Sequence, residues 1–65
     1  MERIYKEDVE DVVSTIKTVM GQNDGELPGE LINECRDGLS KSASSVVMAF
    51  YQELTAKCPA ALKYF

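Results

Sequence analysis

The two cysteines, Cys35 and Cys58, are the side chains in this sequence best suited to nucleophilic chemistry. Arg36 follows Cys35 directly, and a nearby arginine can lower the pKa of a thiol. On a helix, however, adjacent side chains point about 100° apart, and no second catalytic group accompanies the pair. Each cysteine lies in or beside an apolar helical pattern, which is typical of a small buried hydrophobe. We expect buried thiols; a disulfide or a reactive thiol are the alternatives.

Histidine is absent from the 65 residues. Its imidazole is the commonest general base and metal ligand, so a hydrolytic triad would lack its central member. The glycine patterns that bind nucleotide phosphates, GxxxxGK[ST] and GxGxxG, do not occur either. We therefore predict that the chain is not an enzyme and that it binds no cofactor through these patterns.

Acidic and amide side chains occur in two places where their oxygens could bind a cation. The first is an acidic cluster, which we interpret as a solvated helix face: Glu7, Asp8, Glu10 and Asp11. The second is residues 23–27, which lie between two helical patterns as a calcium-binding loop does. With Gly25 at the sixth position of such a loop, Met20 and Leu31 would be the first and twelfth ligands. Neither side chain coordinates calcium, so no metal site is predicted.

The chain is acidic, with 7 Lys and Arg against 11 Asp and Glu and a formal net charge of -4. The basic residues are scattered, so we expect no binding to the phosphates of nucleic acids. No apolar run near the N-terminus has the length of about 7 residues that a signal peptide needs, and none approaches the ~20 that span a bilayer. We predict no membrane insertion and a cytoplasmic location.

Apolar residues with helical spacing predict a first helix over about residues 7–20, with one apolar face. That face consists of Val9, Val12, Val13, Ile16, Val19 and Met20. Acidic residues in the first turns suit the positive end of the helix dipole. Gly21 is the expected left-handed terminator, and turn-forming residues predict a loop over residues 21–29.

Two further helices are predicted, over about residues 29–39 and 44–57, giving an all-α bundle of three helices. Pro28 suits the first position of the second helix, and the serines between residues 40 and 45 suit caps at the joint. Pro59 disfavours a helical conformation for Cys58, so the third helix should end by Lys57. A short C-terminal turn is expected over residues 60–65.

A composition with 45% apolar and 28% charged residues is that of a folded domain, and we assign residues 1–65 to one small helical domain or segment. A chain this short buries only about 60% of the surface that it exposes when unfolded. We therefore predict a non-catalytic interaction or regulatory module that packs an apolar face on a protein partner or on a second copy. The candidate contact residues, which would serve equally well as a core, are Val46, Val47, Phe50, Leu54, Tyr64 and Phe65.

From Leu31 onward the sequence resembles the first three helices of a globin, in which an FYxxLxxxxP segment leads to an aromatic residue. The matching residues are Phe50, Tyr51, Leu54, Pro59 and Phe65. The resemblance implies an alternative function, as the N-terminal segment of a haem- or oxygen-binding or sensor protein, in which Phe65 would pack against haem. The sequence departs from the family in having no histidine, Arg36 where globins often have tryptophan, and an additional segment over residues 1–29. It also ends before the helices that bring the haem ligands.

Overall fold

A computed structural model of the chain describes residues 2–65, in which no β-strand occurs. A short 3-10 turn precedes three α-helices, and a 3-10 helix follows them. In chain order the elements are the N-terminal 3-10 turn Lys6–Asp8, α1 Val9–Gln22, α2 Gly29–Ser40, α3 Ser44–Lys57 and the C-terminal 3-10 helix Pro59–Tyr64. This order confirms the prediction of an all-α bundle of three helices with a C-terminal turn.

Helix α1 buries one stripe of side chains, which recur every three or four residues: Val9, Val13, Ile16 and Met20. The stripe packs against α3, and these two helices form the most closely packed helix pair. The α-helix begins two residues later than predicted, because residues 6–8 adopt the tighter 3-10 conformation. Glu10 and Asp11 lie in the first α-helical turn, where their negative charges favour the positive end of the helix dipole.

The end of α1 differs from the prediction, because Gly21 continues the helix and does not terminate it. The left-handed conformation occurs at Asp24 and Gly25, whose φ angles are 54° and 82°. The backbone N–H of Gly25 donates a hydrogen bond of 2.8 Å to the carbonyl oxygen of Met20. The loop therefore covers residues 23–28, and it brings Leu27 into the core with only 6% of its surface exposed.

Helix α2 begins at Gly29, and Pro28 is its N-cap, one position before the predicted one. The carbonyl oxygen of Pro28 accepts the first hydrogen bond of the helix, from the backbone N–H of Ile32. Cys35 and Leu39 are the hydrophobic side chains that α2 buries, whereas Leu31 and Ile32 are half-exposed. The apolar side chains of this helix are thus only partly covered.

Helix α3 has Ala43 as its N-cap, so no serine hydroxyl caps it as the sequence had suggested. The Ser42 hydroxyl instead donates to the carbonyl oxygen of Gly38 and accepts a hydrogen bond from the backbone N–H of Ile4. These two bonds attach the extended N-terminal residues to the joint between α2 and α3.

Cys58 has a non-helical backbone (φ −147°, ψ 68°), and the proline that follows it disfavours the helical region. It separates α3 from the C-terminal 3-10 helix. The core combines side chains from every helix with Ile4 and Leu27: Ile4, Val9, Val13, Ile16, Met20, Leu27, Cys35, Leu39, Val46, Phe50, Leu54, Cys58 and Ala61. Among the described residues, no helix is both long and apolar enough to cross a bilayer.

Candidate interaction surface

Three aromatic rings meet where the end of the chain folds back on α3. The rings of Phe50 and Tyr51 lie edge to face, with centroids 5.6 Å apart. Phe65 makes the same kind of contact with Phe50 at 5.5 Å. The Tyr51 hydroxyl also donates a hydrogen bond of 3.2 Å to the backbone carbonyl oxygen of Phe65. Phe65 is therefore held at two points, by its ring and by its backbone.

The three rings differ in their access to solvent. Phe50 is completely buried, whereas Tyr51 and Phe65 are half-buried. Val47 precedes Tyr51 by one helical turn on the same face of α3 and is half-buried too. Tyr64 is also half-buried, and the Lys63 ammonium lies 5.2 Å from the centroid of its ring. We call Val47, Tyr51, Tyr64 and Phe65 the aromatic surface.

Half of the residues proposed from the sequence to contact a partner belong to the chain's own core. Phe50 and Leu54 expose no surface, and Val46 exposes 7%. Their burial has a simple cause, since α1 packs over the face of α3 on which these three side chains lie. They support the aromatic surface from below and do not form it.

The other three residues, Val47, Tyr64 and Phe65, remain partly exposed, and their contact with a partner stays a prediction. Tyr51 was not among the six candidate contact residues, although it is only half-buried in the structure. Met48 was not among them either, and it is 64% exposed. Met48 is two residues from both Val46 and Phe50, a spacing that places it on the opposite side of the helix.

Both cysteines are buried free thiols, as expected from their apolar patterns. Burial, followed by the negative charge of Glu34, raises the pKa of the Cys35 thiol. The shift is opposite to the one that a nucleophilic cysteine needs, because it reduces the thiolate fraction at neutral pH. The Cys58 sulfur lies 3.6 Å from the Met20 sulfur inside the core.

Within residues 2–65, no three side chains of histidine, cysteine, aspartate or glutamate are grouped as metal ligands would be. Residues 23–25 form a turn, in which the Asn23 side chain donates a hydrogen bond to the carbonyl oxygen of Val19. This amide therefore caps α1, which is a structural role.

No family model, curated protein or solved structure matches the chain. The geometry of the aromatic surface is therefore the basis on which a function is proposed.

Proposed function

We propose that the chain is a non-catalytic interaction module whose aromatic surface packs against an apolar surface of another protein. The observation that supports this proposal is the double attachment of Phe65, through its ring to Phe50 and through its backbone to Tyr51. A half-exposed aromatic ring that is already fixed loses little conformational freedom when a partner covers it. Aromatic residues are also enriched at the centres of protein interfaces.

The remaining members of the surface suit the same role. Val47 adds aliphatic area beside Tyr51, and Tyr64 combines an apolar ring with a hydroxyl that can face water at a rim. The buried row Val46, Phe50 and Leu54 lies beneath them and gives the surface a rigid support. Hot-spot residues commonly lie in such well-packed surroundings.

Site-specific photo-crosslinking in cells tests the proposal. A photoreactive amino acid at Val47 should form a crosslinked product, whereas the same group at Gln52, an exposed position on α3, should not. Adding Phe65→Ala to the Val47 variant should reduce the yield. Equal yields from the two positions, or no product from either, would reject the proposal. A product with twice the mass of the chain would identify the partner as a second copy.

A second candidate function is that of the N-terminal segment of a globin-like haem- or oxygen-binding or sensor protein. The observation that favours it is the order of elements after residue 31, in which α3 is followed by a proline-led 3-10 helix and then by Phe65. The half-exposed ring of Phe65 suits an apolar wall against a flat macrocycle. The chain has no histidine, the residue that ligates the iron in globins, so the role proposed for it is limited to the wall of a haem pocket.

Absorption spectroscopy separates this candidate from the first. The chain mixed with haem should show a Soret band that shifts from that of free haem, and Phe65→Ala should weaken the shift. Met48→Ala is a suitable control because Met48 is exposed on α3. The absence of any shifted band would sink the haem proposal for this chain while leaving the crosslinking result unaffected.

A further inference from the structure

A second concave surface lies between α1 and α2, on helices that do not contribute to the aromatic surface. Its lining consists of Val12, Thr15, Ile16, Leu31 and Cys35. This lining is almost entirely apolar, and the concavity measures about 170 Å³. An apolar cavity of about 150 Å³ accommodates benzene. The concavity therefore has room for one side chain of the size of leucine or phenylalanine.

The concavity continues along α1 toward the N-terminal segment. A neighbouring depression shares Val12 and Thr15 with it and extends past Asp11 and Asp8 to Tyr5. From Asp8 to Thr15 the surface follows α1 for two helical turns, which is about 10 Å. A bound segment would thus contact a strip of α1 beside the apolar concavity.

Carboxylates outnumber cations along this strip, because Glu2, Asp8 and Asp11 line the depression together with one basic side chain, Arg3. Asp8 and Asp11 are exposed on the α1 side. On the α2 side, Glu34 is exposed and precedes Cys35, close enough for its charge to act on that thiol. We call the whole surface the acidic groove, and we define it by Asp8, Asp11, Val12, Thr15 and Leu31, which line the two depressions. Glu34 lies beside it, next to Cys35 in the chain.

We propose that the acidic groove binds an amphipathic helix of another protein, which inserts one large apolar side chain between α1 and α2 and has lysine or arginine beside it. The apolar side chain would provide most of the affinity, because it would be removed from water in a preformed concavity. The basic residues would provide orientation and selectivity, because exposed ion pairs add little affinity but discriminate strongly by charge.

Charge distinguishes this occupant from a second copy of the chain. The chain has a formal net charge of -4 and its basic residues are scattered. Two copies docked through their acidic grooves would bring carboxylates of the same sign together, which opposes association. A basic helix is attracted by these carboxylates and meets one like charge in the lining, that of Arg3.

Binding of designed peptides to the intact chain tests the proposal. The probe is an amphipathic peptide of about 18 residues with leucine on one face and lysine on the other, long enough to form a helix. Its matched counterpart has glutamate in place of lysine. At ~0.15 M salt we expect the lysine peptide to bind at least tenfold more tightly. Amide chemical-shift changes should concentrate at Val12, Thr15, Leu31 and Cys35.

Matched substitutions test whether the lysine peptide binds in the acidic groove. Thr15→Lys puts a long basic side chain into the groove and should weaken binding about tenfold or more. Gln52→Lys adds the same charge on the exposed side of α3 and should change binding less than about threefold. The double variant Asp11→Asn with Glu34→Gln keeps the shape of the groove and should weaken binding by reducing its salt-dependent part.

Three results would overturn the proposal. The first is equal affinity for the lysine and glutamate peptides, and the second is equal weakening by Thr15→Lys and Gln52→Lys. The third is a set of shift changes centred on Tyr51 and Phe65, which would assign the peptide to the aromatic surface. Failure of the groove experiment leaves the crosslinking experiment at Val47 unaffected, so the two surfaces are tested independently.

Discussion

The backbone N–H of Ile4 donates a hydrogen bond of 2.9 Å to the hydroxyl oxygen of Ser42, a residue 38 positions further along the chain. The same hydroxyl donates to the carbonyl oxygen of Gly38 at 2.7 Å. One side chain thus connects the extended N-terminal segment with the last turn of α2. The connection positions the Ile4 side chain in the core, where 5% of it is exposed.

Replacing Ser42 with alanine should destabilise the fold by about 1 kcal/mol, because the Ile4 N–H loses its partner in a half-buried position. Urea unfolding followed by circular dichroism measures the change. Ser40→Ala is the matched control, since the Ser40 hydroxyl bonds only to the carbonyl oxygen of Asp37 on the exposed side. Equal losses from the two variants would contradict a special role for Ser42.

Replacing Phe50 with leucine should destabilise the fold and also release Phe65. The edge-to-face contacts of Phe50 with Tyr51 and Phe65 contribute about 0.5–1.5 kcal/mol for each pair beyond the area that they bury. Urea unfolding should therefore show a loss of about 1–3 kcal/mol, and the NMR resonances of the Phe65 ring should move toward their positions in the unfolded chain.

The control for Phe50→Leu is Met48→Ala on the same helix. Met48 is 64% exposed, so its truncation should change the stability by no more than about 0.5 kcal/mol. If Phe50→Leu left the Phe65 resonances in place, the backbone bond from Tyr51 would be sufficient to position the aromatic surface.

Helical periodicity was enough to predict the two stripes that form most of the core. Val9, Val13 and Ile16 on α1 repeat at the spacing of one helix face, and Val46 and Phe50 on α3 do the same. Such local spacing does not reveal which face another helix covers. The sequence therefore did not distinguish Phe50, which is fully buried, from its neighbour Tyr51, which is half-buried.

The features that the sequence did not predict depend on contacts between distant residues. Ile4 lies in a short extended segment without periodicity, and its position is set by Ser42, far along the chain. The acidic groove likewise requires that α1 and α2 come together where Val12 and Leu31 line the same concavity. Both helices have apolar side chains that are not fully buried, such as Val12 and Leu31. Their spacing is visible in the sequence, but it does not specify which helix lies next to them.

Because the pKa of Cys35 is raised, the free energy of unfolding should depend on pH in the alkaline range. Burial and the Glu34 charge raise this pKa above the ordinary value of 9.0, so the folded chain retains a proton that the unfolded chain releases. The stability that this pKa difference contributes is complete below the thiol pKa of the unfolded chain. It is lost as the pH rises through the thiol pKa of the folded chain. Urea unfolding of the wild type should therefore show a steeper decline above pH 9.0 than that of Cys35→Ala. Parallel declines would show that the thiol keeps its proton equally well in both states.

The two glycines near the end of α1 should respond to alanine in opposite directions. Gly25 has a φ of 82°, a left-handed conformation that alanine adopts at a cost of about 1–2 kcal/mol, although no atom lies within 4 Å of the added methyl group. Gly21 is helical and faces open space as well. Alanine there should stabilise the fold by about 0.5–1 kcal/mol, because it reduces the entropy of the unfolded chain and favours the helix. Since steric contact is absent at both sites, the difference between the two midpoints of urea unfolding measures backbone conformation alone. A stabilising Gly25→Ala would show that residue 25 does not hold the left-handed conformation in solution.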